Sequence, residues 1–193
     1  MRFHGDLRLD FLRAGLLACA ALVVSSCAWF GGGPASPERN LMLRGHDPVG
    51  YFTAGIAMPG RPEFLVEHEG AFYRFANETN RRLFITAPDR YVPRFRGRCA
   101  NAMVYALPAD GAPDAFKIID GRLYLFSDRR ARQYFEMDQE RNVRLASHYW
   151  ETEVRDGTAW LQSLKRQVFR VPHYRSPAEL GAEYDRRVAA RRD

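Results

Sequence analysis

The sequence predicts an α+β fold: small antiparallel β-hairpins packed with helices, followed by a helical C-terminal extension. Three observations predict it. Short alternating apolar runs meet at Glu69-Gly70 and again at Asp120-Gly121. Each pair of runs leads into a helix-capping residue and apolar residues at helical spacing. From about Asp156 onward the pattern is helical with no further strand.

Taken in order, RGHDPVGYFT (44–53) opens the domain, with turn residues Gly45, Asp47 and Pro48 and apolar anchors Val49, Tyr51 and Phe52. EFLVEHEGAFYRFA (63–76) is a hairpin whose Gly70 takes the positive φ of the turn, with Phe64, Val66, Phe72 and Phe75 facing the core. Asn77 caps a helix that carries Leu83, Phe84 and Ala87 inward and stops at Pro88. After a break at 89–93 and the cysteine segment, AFKIIDGRLYLF (115–126) forms a second hairpin, and Ser127 or Asp128 caps the next helix. Residues 128–152 are helical, with Tyr134, Phe135, Val143, Leu145 and Tyr149 inward and a break near Asp138. The hairpins share a turn type, and no internal repeat is expected. A short amphipathic helix, GTAWLQSLKRQV, a proline-punctuated loop and a polar terminal helix complete the extension, which is expected to pack Trp160, Leu161, Leu164 and Phe169 on the domain.

The first residues have another purpose. MRFHGDLRLDFLR carries three arginines ahead of the apolar run AGLLACAALVV (14–24), which is too short to span roughly 30 Å of hydrocarbon and has the form of a signal peptide. Val24-Ser25-Ser26-Cys27 resembles a bacterial lipobox, so Cys27 is expected to be acylated and to become the first mature residue. Ala28 after it favours the outer membrane of a Gram-negative bacterium, periplasmic face. The expected organisation is signal peptide 1–26, flexible tether 27–40, domain 41–154 and helical extension 155–193.

A chain that is 46% apolar and 27% charged has the composition of a folded soluble domain, which excludes disordered and polytopic membrane classes. Removing residues 1–26 takes away three arginines and two aspartates, so one unit of the +6 net charge is lost. A basic exported protein meets anionic lipid head groups rather than nucleic acid, and no nucleic-acid partner is expected. Cys19 lies in the signal segment and Cys27 carries the lipid, which leaves Cys99 as the sole mature thiol, without a disulfide partner.

Four segments carry a resemblance: GHDPVGYFTAG (45–55), VEHEGAFYRFANETNRRLF (66–84), PDRYVPRFRGRCANAM (88–103) and FKIIDGRLYLFSD (116–128). In this order they resemble the YHS-domain family, above all its exported bacterial branch, over roughly residues 41–152. The resemblance implies a small α+β domain related to metal-binding modules of heavy-metal transport and copper handling. It also implies that Cys99 stands where some relatives carry selenocysteine. The chain departs from the metal-binding members at Phe75 to Asn80, where they place cysteines and this sequence has none, so a two-cysteine site is excluded.

Around Cys99, Arg94, Arg96 and Arg98 would favour a thiolate, as would a helix beginning after the cysteine. A soft transition metal ion, copper above all, would accept Cys99 with Met103, four residues on, or with His46. His68, His148 and His173 are weaker candidates, and Asp47 is a turn or cap residue. One alternative is a redox thiol restored by an external reductant. The other is a non-catalytic interaction module at the envelope that docks a partner through the extension. Zinc-finger spacing, CxxC, a phosphate loop, a dinucleotide fingerprint and an oxyanion signature are all absent from the sequence, so catalysis is not the expected activity.

Overall fold

The computed structural model describes residues 40–192; the expected signal segment, Cys27 and the expected tether through residue 39 lie outside the described residues. Within them the fold is α+β, with two separate two-stranded antiparallel sheets and eight α-helices. A short helix, α1 (Gly50–Thr53), precedes the hairpin of β1 (Arg61–His68) and β2 (Ala71–Phe75). Helix α2 (Glu78–Thr86) follows, its N-cap Asn77 accepting from the Asn80 amide at 2.9 Å as expected. Its inward residues are Asn80 and Phe84; of the others expected to face the core, Leu83 is 39% exposed because the helix buries the face one residue away, and Ala87 is an exposed C-cap beyond the helix.

After α3 (Pro88–Tyr91), the one-turn α4 (Ala100–Met103) leads to β3 (Ala112–Ile119) and β4 (Arg122–Phe126). Asp128 caps α5 (Arg129–Glu136) by accepting from the Ala131 amide, and α6 (Gln139–Tyr149) begins beyond the expected break at Asp138. A wide π-type turn, Trp150–Val154, closes the domain proper. The extension contributes α7 (Ala159–Val168) and α8 (Pro177–Ala189), the latter opened by a Ser176/Glu179 capping box.

The two halves of the domain repeat one another, contrary to the expectation of no internal repeat. Leu43, Arg44 and Gly45 have φ of 54°, 51° and 80°; Phe95, Arg96 and Gly97 have 57°, 51° and 73°. Each of these turns is followed by the same backbone pairings. Asp47 N–H donates to Met58 O at 2.9 Å, and Cys99 N–H to Ala109 O at 2.9 Å. Gly60 N–H donates to Gly45 O, and Gly111 N–H to Gly97 O. Both hairpins carry a register irregularity near the start of the first strand, Arg61↔Phe75 then Leu65↔Arg74, and Ala112↔Phe126 then Phe116↔Leu125. Both turn through two left-handed residues, Glu69-Gly70 and Asp120-Gly121, and both end in a capped helix. Few residues agree between the halves, which hides the repeat in the sequence. Tyr73 and Tyr124, Phe75 and Phe126, and Phe84 and Phe135 are the identical core pairs.

The halves meet through Leu43, Tyr51, Leu123 and Leu125, with Phe116 and Ile118 packed against them. Tyr51 crosses from the first half to the second. Its ring meets Phe116 edge-on at 4.6 Å and its hydroxyl donates to Pro113 O at 3.0 Å. Burial, with the charges of Asp114 and Asp47 acting in the same direction, raises this phenol far above its ordinary pKa, so it stays a donor.

Candidate functional site

The site expected from the sequence centres on Cys99, which stands at the N-cap position of α4 without a side-chain capping bond. The residue is 1% exposed and belongs to an apolar cluster with Phe95, Ala100, Met103, Tyr124 and Phe126. One polar neighbour reaches the sulfur: Sγ lies 3.7 Å from Ser127 Oγ. Ser127 is exposed and lines a cleft of about 430 Å³ with Asp114, Ala115, Asp128, Arg129 and Arg132. Ser127 thus touches both the buried thiol and this cleft.

The expected guanidinium neighbours are directed elsewhere. Arg98 donates to Pro108 O at 2.5 Å and pairs with Asp110 at 3.5 Å, tying down the loop after α4. Arg94 lies over the Phe95 ring at 5.4 Å. Arg96 acts on the Tyr73 phenol in the other half, whose pKa burial raises to about 12 against that guanidinium's opposing effect. Between Arg94 and Arg98 the backbone is left-handed at Phe95 and Arg96.

Of the proposed metal donors, Cys99 and Met103 lie in the same apolar cluster, and the Met103 amide donates to Cys99 O at 3.0 Å. His46 belongs to the first half, where its Nδ1 is engaged with Leu43 O at 3.0 Å. It stands beside Asp47 as Arg98 stands beside Cys99. Among the described residues no group of three or more His, Cys, Asp and Glu side chains is gathered closely enough to hold a metal ion. His68 meets Phe84 edge-on, and His148 packs beside Tyr149. His173 is stacked near Tyr105 and Tyr149 with Nε2 2.9 Å from Val104 O, a structural position.

Asp47 is the most heavily used side chain of the first half. Fully buried, its Oδ1 accepts from Val49 N–H at 2.8 Å and Gly50 N–H at 3.3 Å. Its Oδ2 accepts from Ala76 N–H at 2.8 Å and Asn80 Nδ2 at 2.6 Å. The cap role expected from the Asp-Pro pair is present. The reach to Asn80, across the hairpin, left no signal in the local sequence.

A second feature lies in the extension. Helix α7 turns Ala159, Gln162, Ser163 and Arg166 toward the domain, where Gln162 donates to Ala106 O and Glu153 Oε2, each at 3.1 Å. Arg166 and Lys165 also reach Glu153. The carboxyl of Glu153, although burial opposes it, is held below its ordinary pKa by Lys165, Gln162 and Arg166. Trp160, Leu161, Leu164 and Val168 share the opposite arc of the helix and are exposed, with Phe169 just beyond the last turn. Self-packing of this row, expected from the sequence, does not occur, because a polar face makes the contacts with the domain. Other parts of the extension do pack: Val171 and Leu180 are buried, and Tyr174 meets Tyr105 edge-on.

Among the described residues no helix is long and apolar enough to cross a membrane. No family model, curated protein or solved structure matches the chain.

Proposed function

We propose that this chain is a lipid-anchored module of the Gram-negative envelope, YHS-like in its duplicated domain, that works by interaction rather than catalysis. The anchor is supported by the cysteine directly after an eleven-residue apolar run, and the YHS likeness by four segments in family order. The observation that carries the interaction reading is the inversion of α7, whose polar face meets the protein while its apolar face meets solvent. Contiguous exposed apolar surface of this kind marks a contact surface. The anchor is tested by labelled palmitate, which enters the native chain and is excluded from Cys27→Ser, with the variant moving to the soluble periplasmic fraction. Label in neither protein would dispose of it.

A second reading is favoured by one observation. Cys99 and Met103 are two soft sulfur donors in one apolar cluster, a chemistry that suits copper(I). Purified chain loaded with copper(I) should retain it and lose it in Cys99→Ser; no retention in either form removes this reading. For the redox alternative, a sulfur with 1% exposure meets an external reductant only after Ser127 and its neighbours open.

A further inference from the structure

We infer that α7 is an interfacial helix, and that its outward face lies on the anionic lipid surface to which the chain is tethered. This rests on the anchored-module reading and names what the docking face meets. Trp160 is 65% exposed, Leu164 51% and Phe169 68%, although each is large enough to be stabilised by leaving water. Trp160 and Leu164 lie with Leu161 and Val168 on one arc of the helix, Phe169 follows at its C-terminal end, and aromatic rings therefore occupy both ends of the row. An amphipathic helix with this distribution lies in the plane of a bilayer interface, its aromatic rings at head-group level.

Charge complements this placement. From Arg155 to the end the chain carries nine Arg and Lys against five Asp and Glu. Lys165 borders the apolar arc with half its side chain exposed, and Arg170 follows Phe169 with its guanidinium 4.5 Å from the Tyr174 ring centroid. The Glu153 carboxylate nearby is neutralised by Lys165 and Arg166. Basic side chains beside an apolar face favour anionic lipid. Tether length adds a further argument. Residues 27–40, fully extended, span at most about 50 Å, so a bilayer holding the Cys27 lipid is always within reach of the domain.

The test uses the full chain on vesicles of phosphatidylethanolamine and phosphatidylglycerol with brominated acyl chains. The Trp160 contribution is isolated as the difference between the chain and Trp160→Phe, which cancels Trp29 and the buried Trp150. We expect this component to shift to the blue and to lose most of its emission to bromines near the head groups. Leu161→Ser with Leu164→Ser should weaken the quenching about tenfold or more. A Trp160 component that stays unquenched on vesicle-bound chain overturns the inference, and it does so equally if a second copy or another protein covers the face. That outcome leaves the anchor intact, whereas a chain that never associates with vesicles after palmitate labelling counts against the anchored module itself.

Discussion

Cys99 occupies in the second half of the domain the position that Asp47 occupies in the first. Each follows a left-handed turn, each donates its amide across the same loop, at 2.9 Å to Met58 O or Ala109 O, and each lies under the start of the helix that follows its hairpin. The first half fills the position with a carboxylate gathering four N–H donors, the second with a thiol inside an apolar cluster.

The two positions therefore respond differently to truncation. Asp47→Ala leaves the Ala76 amide and the Asn80 side chain without their acceptor and should cost about 3 kcal/mol or more. Cys99→Ala removes one sulfur from an apolar site and should cost about 1–2 kcal/mol. Urea unfolding measures both; equal costs would contradict the assignment of the fold-holding role to the carboxylate.

Matched glycines test the duplication. A Cβ on Gly60 would lie 2.6 Å from the Arg74 carbonyl carbon, and one on Gly111 would lie 2.5 Å from Gly97 O. Gly60→Ala and Gly111→Ala should each cost about 3 kcal/mol. By contrast, Gly70→Ala and Gly121→Ala, at φ of 71° and 69° with open space around them, should each cost about 1 kcal/mol. Thermal or urea unfolding that separates the members of either pair widely would argue against equivalent halves.

The start of α2 should be acid-sensitive. Hydrogen bonds from Arg81 and Arg82 hold the Glu78 carboxyl at a pKa of about 2 against an ordinary 4.5. Because the folded value is the lower one, its contribution is complete above 4.5 and is lost as pH falls from there through about 2. Carbon-detected titration of the Glu78 carboxyl should show the low midpoint, and Glu78→Gln should flatten this part of the acid profile. A midpoint near 4.5 would show that the arginines do not hold the carboxylate.

The two faces of α7 should separate in a stability measurement. Leu164→Ser and Val168→Ser touch exposed side chains and should change stability by no more than about 0.5 kcal/mol. Gln162→Ala deprives the buried Ala106 carbonyl and Glu153 of a donor and should cost about 1–2 kcal/mol. The reverse order in calorimetry would mean that the helix packs through its apolar side.

Burial of Cys99 predicts a silent thiol. Maleimide labelling resolved by peptide mass should leave Cys99 unmodified in the folded chain and complete in urea. Rapid labelling without denaturant would restore a reactive role to this sulfur.

Local chemistry wrote much of the fold into the sequence. Glu69-Gly70 and Asp120-Gly121 marked the hairpins, Asn77 and Asp128 the helix starts, and Asp138 the break between helices, because turns and caps depend on residues a few positions apart. The candidate thiol was equally legible from cysteine arithmetic. Its surroundings were not, since Arg98 donates to Pro108 O and pairs with Asp110, and Arg94 stacks over Phe95, contacts that spacing along the chain does not specify. Periodicity correctly marked α7 as amphipathic, yet a helix has the same pattern whichever side faces inward. Tertiary packing decided that side, through the polar contacts of Gln162 and Arg166 with Ala106 and Glu153. It also exposed the duplication, because backbone geometry and hydrogen bonding persist at paired positions where side chains as unlike as Asp47 and Cys99 have diverged.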